Sequence, residues 1–313
     1  NITPPSLVTE QTSRERIERS LLQKHNLCRL DHVACVSELN RDDLVEFGVA
    51  PERLSILHLP AAVFDRQSPA DRTRRPTDGP VRLLFLGRFV RSKGVADLLE
   101  ALTTLIDGGL RGFHVTIAGN SILSDPQLLE SVRRAGREDR FGQVVTVAED
   151  PSDDELRTLY EQADALIMPS YHEGYGVPII EALSAGCYVI AYASGNVPNV
   201  LSGLGTLVPT GDVRMLAGAI GEHVERVRRS RIHGEPVRLS PSAGPTVETD
   251  WRAAVVEHLE RYSRAAYQRT FLDLLQRTSG CLPGGTPNWL ADHTRELETN
   301  PPDDHSLDRR QHL

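Results

Sequence analysis

The sequence predicts an α/β protein built on a doubly wound parallel sheet, and three observations carry that expectation. From residue 81 onward, apolar runs of strand length recur at intervals. Between them lie stretches with helical apolar periodicity, so that strand and helix alternate. The runs are apolar at successive positions rather than at every second one, which marks strands covered on both faces and therefore a parallel sheet.

Taken in order, the strands expected are Val81–Leu86, Phe113–Ala118, Val144–Val147, Ala165–Met168, Tyr188–Ala191 and Thr206–Val208. The helices expected between and after them are Val95–Ile106, Pro126–Ala135, Ser152–Gln162, Pro178–Ala185 and Val213–Val227. Ser152 and Glu155 have the spacing of a capping box, which places one helix start. The doubly wound domain is accordingly assigned to residues 81–227.

Ahead of it, elements are fewer. Ser13–His25 reads as an amphipathic helix and Leu30–Val36 as a buried strand. Ser37 offers an N-cap for a helix through Asp42–Phe47 that stops at Gly48, and Leu54–Leu59 is a second short strand closed by Pro60. Arg66–Pro80, with three prolines, four arginines and little that is apolar, reads as a linker between a first segment, 1–65, and the domain. Beyond the domain, 228–249 reads as a connector. Asp250–Arg277 reads as one amphipathic helix with an apolar stripe through Trp251, Val255, Leu259, Tyr262, Ala266, Phe271 and Leu275, within a segment 250–278. The tail, 279–313, is expected to be disordered.

Composition bounds the function. The 313 residues suffice for about two domains. With 39% apolar and 25% charged residues the chain is of soluble, globular type, and the net charge of −8 argues against nucleic-acid binding by bulk electrostatics. No apolar run is long enough to span a bilayer, so any membrane association is expected to be peripheral. The four cysteines form no C-x-x-C pair and are too sparse for a disulfide framework, and a cytoplasmic location is the expectation.

In open α/β sheets the ligand lies beyond the carboxyl ends of the strands, so the residues that follow each strand are the candidates. The first loop, Gly87-Arg88-Phe89-Val90-Arg91-Ser92-Lys93-Gly94, holds three cations between glycines at a helix start. Arg88 and Lys93 there suit a diphosphate, the alternative being a solvated turn with surface cations. Asn120 follows the second strand, Glu149 and Asp150 the third. The fourth leads into Tyr171-His172-Glu173-Gly174-Tyr175-Gly176-Val177-Pro178, where the glycines permit close backbone approach, Pro178 suits the first helical position, and N–H groups near Gly176 and Val177 can face an anion. Glu173 and Glu181 do not belong beside phosphate and suit hydroxyl groups instead; two unrelated surface glutamates are the alternative. His172 is read as a hydrogen-bonded loop residue, with a catalytic role second. No P-loop, G-x-G-x-x-G, H-E-x-x-H or D-x-D occurs, so neither a resident cofactor nor a diphosphate-clamping metal is expected.

Three motifs in order, Gly87-Arg88…Lys93-Gly94, Tyr160-x-x-Ala163-Asp164-Ala165-x-x-Met168-Pro169-Ser170 and Glu173-Gly-Tyr-Gly-Val-Pro-x-x-Glu181-Ala-x-x-Ala-Gly186, resemble the C-terminal domain of family-4 retaining glycosyltransferases of the GT-B fold, the last being that family's E-x7-E element. The likeness covers roughly residues 30–227, with Asp31–Leu59 similar to the end of the family's N-terminal domain. It implies a UDP- or GDP-sugar donor, a glycan, lipid or small-molecule acceptor, and hexosyl transfer with retention. It also implies roles: Gly87, Arg88 and Lys93 at the donor diphosphate, Glu173 with the backbone of Gly174, Tyr175, Gly176 and Val177 at the hexose, Glu181 at the ribose, Asn120 within the donor site, and Glu149 and Asp150 at the base. Glu173, Arg88 and Lys93 are the residues assigned to catalysis. Because the family's acceptor half is represented by two strands, the resemblance also implies a truncated first domain, a chain inactive by itself, and poorly buried segments on both sides of 81–227 for want of a docking partner. A nucleotide-sugar-binding module that needs a separate N-terminal partner, or a GT-B sugar-nucleotide epimerase, are the alternatives.

Overall fold

A computed structural model describes residues 22–60, 79–138, 141 and 144–279. Most of the expected linker, the tail beyond Ser279 and most of the expected helix Ser13–His25 lie outside these, although 22–27 are helical.

Six parallel strands form the main sheet: β3 (Val81–Leu86), β4 (Phe113–Gly119), β5 (Val145–Glu149), β6 (Ala165–Met168), β7 (Tyr188–Tyr192) and β8 (Thr206–Val208). Their spatial order is β5-β4-β3-β6-β7-β8. The chain therefore winds outward from β3 to one edge, crosses back, and winds outward from β6 to the other. That reversal between β3 and β6 is the topological switch point, where the loops leaving two adjacent strands diverge and open a crevice. The apolar runs are buried as read: every residue of β6 and β7 is inside, and of β3 only Arg82 is exposed.

The helices joining these strands are α2 (Val95–Asp107), α3 (Pro126–Ala135), α4 (Asp153–Gln162), α5 (Val177–Ser184) and α6 (Val197–Leu201), followed by α7 (Val213–His233). The capping box at Ser152 is present, the Glu155 carboxylate accepting the Ser152 N–H at 2.8 Å. Below the sheet's centre, Asp164 bridges strands. Its carboxylate accepts the Arg82 N–H at 2.8 Å and meets the Arg231 guanidinium at 2.8 and 2.9 Å. The Ala163-Asp164-Ala165 sequence is thus explained by the need to tie β3 and β6 together beneath the switch point.

Three expectations change. Helix α7 runs on to His233, and the expected connector holds a short antiparallel pair, β9 (Arg238–Leu239) with β10 (Thr246–Val247). The single helix expected over Asp250–Arg277 is two, α8 (Glu248–Leu259) and α9 (Arg264–Ser279), joined by a 3-10 turn at Glu260–Tyr262. Its stripe does find a docking surface in the first half. Trp251, Val255 and Tyr262 are buried in the main core, and the Trp251 indole N–H donates to the Leu204 carbonyl at 2.6 Å. The break at Ser263 lets the chain leave that surface.

The first segment is likewise better buried than expected. β1 (Val33–Cys35) pairs in parallel with β2 (Leu54–Ile56), and α1 (Glu38–Glu46) covers them. Cys35, Leu44, Val49 and Leu54 form their own small core. Ser37 caps α1 as read, accepting the Asn40 N–H at 3.2 Å, so the helix starts at Glu38, earlier than its periodicity suggests. Among the described residues, no helix is long and apolar enough to cross a membrane.

Candidate functional site

Two loops meet at the switch point. The loop leaving β3 makes a 3-10 turn at Arg91–Lys93 and enters α2 through Gly94, whose φ of +66° is left-handed. A side chain at Gly94 would place its Cβ 1.9 Å from the Pro169 carbonyl oxygen, so only glycine lets the β3 loop lie against the start of the β6 loop. The Tyr171 N–H then donates to the Ser92 carbonyl at 2.8 Å.

This contact brings two assigned residues together. Lys93 Nζ lies 2.7 Å from Glu173 Oε2, with the side chains 21% and 13% exposed. An ion pair so far withdrawn from water is not the weakly coupled surface kind. From the sequence, Lys93 at phosphate and Glu173 at hydroxyls are separate tasks; in the structure the two groups touch. Lys93 is engaged by Glu173, and Arg88, which leaves Gly87 at the end of β3, is exposed and makes no ion pair to a described residue.

Gly176 caps α5 with φ +100° and no capping side chain, while Pro178 occupies the second helical position rather than the first. Pro178 has no N–H, and Ile179 already bonds back to the Gly176 carbonyl, so the Val177 N–H is the unbonded helical donor nearest the loop. Gly174 is buried and its carbonyl accepts the Ser37 hydroxyl at 2.7 Å. The Tyr175 hydroxyl donates to the Leu59 carbonyl at 2.6 Å. The first segment therefore grips the site loop at two points, a connection no motif suggested. On the loop's other side the Asn196 N–H bonds to the Glu173 carbonyl at 2.8 Å and the Asn196 side chain to the Tyr175 carbonyl at 3.0 Å.

The remaining assigned residues are engaged within the protein. Glu181 is buried and accepts the hydroxyl of fully buried Tyr160 at 2.9 Å. Glu149 holds Arg133 of α3 at 2.6 and 2.7 Å, and this guanidinium keeps its carboxyl below the usual range. Asp150, at φ +51°, accepts the N–H of Ser121 at 2.9 Å and, by a shorter contact, its hydroxyl. Asn120 Oδ1 accepts the Leu123 N–H at 2.9 Å inside its own turn. All four are engaged by groups of the protein itself. His172 is half-buried, and burial lowers its pKa, so near neutral pH it is an uncharged neighbour of Glu173. Among the described residues no cluster of three or more His, Cys, Asp or Glu could hold a metal ion.

Residues 80–226 match the family model described as Glycosyl transferases group 1. The chain is 30% identical over 245 residues to a D-inositol 3-phosphate glycosyltransferase of Mycolicibacterium smegmatis, covering 75% of this chain and 53% of that protein. It is 26% identical over 234 residues to a GDP-mannose:cellobiosyl-diphosphopolyprenol alpha-mannosyltransferase of Xanthomonas oryzae, covering 72% and 57%. The chain thus spans about half the length of the curated relatives it matches. In fold it is similar to a sucrose-phosphate synthase of Thermosynechococcus elongatus, with a TM-score of 0.66 at 22% identity over 88% of this chain and 65% of that one. These findings show the GT-B fold, and the relatives that the chain matches are named as glycosyltransferases.

Proposed function

We propose that this chain forms the donor side of a retaining, family-4 glycosyltransferase that moves a hexose from a UDP- or GDP-sugar to a glycan, lipid or small-molecule acceptor. The observation that carries the reading is the 2.7 Å Lys93–Glu173 pair at the switch point. A nucleotide-sugar has its anionic diphosphate and its hexose hydroxyls on either side of a single glycosidic oxygen. An ammonium and a carboxylate in contact therefore match the two sides of the bond that breaks. The relatives, one named for GDP-mannose and one for an inositol phosphate, support a sugar donor and a hydroxyl acceptor.

In this reading, donor binding gives each member of the pair a new partner. Lys93 turns to the diphosphate together with Arg88 and the Val177 N–H, and Glu173 accepts hexose hydroxyls. As the bond from the anomeric carbon to the diphosphate oxygen breaks, negative charge grows on that oxygen, and cations already in place stabilise it most at the transition state. The acceptor oxygen forms the new bond to the anomeric carbon and gives its proton to the departing diphosphate oxygen, and UDP or GDP leaves. The cationic work is assigned to Arg88 and Lys93, so no metal is invoked.

Calorimetry with UDP and GDP tests the cations. Arg88→Ala and Lys93→Ala should each weaken the preferred diphosphate by about 1.5–3 kcal/mol, the range for a charged hydrogen bond. Unchanged affinity in both would return this loop to a solvated turn. The glutamates separate by ligand: Glu181→Gln should weaken both bare diphosphate and sugar donor through the ribose, whereas Glu173→Gln should weaken only the sugar donor. An equal effect of both changes on both ligands would defeat these two assignments. Turnover of several UDP- and GDP-sugars with mixed acceptors, followed by the anomeric configuration of the product, tests transfer and retention.

A further inference from the structure

Asp97 belongs to none of the motifs above. It is the third residue of α2, four positions beyond Lys93, and it is where the site's packing converges. Its Oδ2 accepts the Tyr171 hydroxyl at 2.8 Å and the Tyr192 hydroxyl at 2.7 Å. The two rings meet edge to face with centroids 5.8 Å apart. Tyr192 closes β7 and is fully buried, whereas Tyr171 lies in the β6 loop two residues before Glu173. Burial and the neighbouring carboxylate raise both phenols, so each hydroxyl keeps its proton and donates. A carboxylate in the first turn of a helix is also favoured by the unbonded N–H groups there.

Tyr171 is thus held twice by one short stretch of chain. Its N–H is bound by the Ser92 carbonyl and its hydroxyl by Asp97, and Lys93 lies between these two anchors. Glu173 follows on the same loop, opposite Lys93. We propose that Asp97 is a positioning residue for donor-sugar recognition: through the Tyr171 hydroxyl it fixes the β6 loop so that Glu173 stands against Lys93. This rests on the donor-site reading above. The physical reason is that the loop has many soft torsions, while hydroxyl recognition by a carboxylate tolerates little displacement. The Ser92 bond alone leaves the loop free to pivot about Tyr171, and the hydroxyl bond to Asp97 stops that rotation. A carboxylate serving only to cap α2 would instead support the helix, with no preference between ligands.

The test uses the full chain and calorimetry with UDP, GDP, UDP-glucose and GDP-mannose. Tyr171→Phe removes the hydroxyl and keeps the ring and the main-chain bond. It and Asp97→Ala should weaken the sugar donor about tenfold and leave the bare diphosphate within about twofold. Asp97→Asn, which keeps an acceptor oxygen, should restore most of the loss. Tyr192→Phe, which alters the same carboxylate away from the loop, should leave both ligands within about twofold of wild type. In a Glu173→Gln background, Tyr171→Phe should cost less than about twofold, because the residue it positions has gone. Equal losses for diphosphate and sugar donor, or an undiminished loss in the Glu173→Gln background, would overturn the proposal in favour of a structural role. Should Asp97→Ala fail to fold, the Tyr171→Phe comparisons decide alone. A wild-type chain that binds none of the four ligands would overturn the donor-site reading, and this inference with it.

Discussion

Arg231→Ala should lower the stability of the six-stranded domain by about 3–5 kcal/mol, the cost of leaving a buried charge without its partner. The Asp164 side chain is 7% exposed and that of Arg231 17%, and one guanidinium nitrogen meets both carboxylate oxygens at 2.8 and 2.9 Å. The same arginine also donates to the Pro80 carbonyl at 3.2 Å. Removing it takes away the guanidinium that faces the buried Asp164 carboxylate, which also accepts the Arg82 N–H at 2.8 Å. In an Asp164→Asn background the same change should cost much less, since no charge remains to be neutralised. Arg226→Ala, which breaks an exposed helical pair with Glu222, should cost no more than about 0.5 kcal/mol and serves as the comparison. Urea unfolding measures all four variants. A loss below about 1 kcal/mol for Arg231→Ala would place this pair with the surface ones.

Gly94→Ala should be the most damaging small change at the site, costing about 3 kcal/mol or more in stability. Two effects add. The left-handed φ of +66° strains any side chain by roughly 1–2 kcal/mol. The new Cβ would also stand 1.9 Å from the Pro169 carbonyl oxygen, and relieving that contact moves backbone rather than a flexible side chain. Gly109 separates the terms, because its φ is +84° and a methyl group added there would meet nothing within 4 Å. Gly109→Ala should therefore show the strain alone, about 1 kcal/mol. Because Pro169 leads into the loop that carries Glu173, Gly94→Ala should also weaken nucleoside diphosphate and sugar donor alike, by about tenfold each. Equal thermal shifts for the two glycine variants would mean that the loops yield freely and that their close approach is not needed.

The sheet was legible because its signal is local. A strand buried on both faces is apolar throughout, as Ala165–Met168 is, and Val81–Leu86 and Thr206–Val208 keep the same bounds in sequence and structure although Arg82 is exposed and Thr206 and Leu207 are only partly buried. Ser152 announces its helix through short-range bonds to nearby N–H groups, which spacing alone predicts, and Asp125 does the same for α3 although it was not read as a cap. The break at Ser263 was missed because the apolar stripe runs on through it, although Ser263 carries the local signal of a helix start and accepts the Ala266 N–H at 3.0 Å. What was not legible is where Trp251 and Tyr262 dock, because that surface is assembled from distant parts of the chain.

The site divides along the same line. By itself the sequence determined the residue types at each strand end, namely cations after β3 and a glycine-rich loop with Glu173 and Glu181 after β6, because strand and loop identities are written in neighbouring residues. Only the tertiary structure decided how those residues are used. That Lys93 meets Glu173, that Asp97 joins Tyr171 to Tyr192, that Ser37 reaches Gly174 and that Asp164 needs Arg231 are all contacts between residues more than sixty positions apart. Such contacts follow from the order in which the strands lie side by side, and no residue's immediate neighbours specify that order.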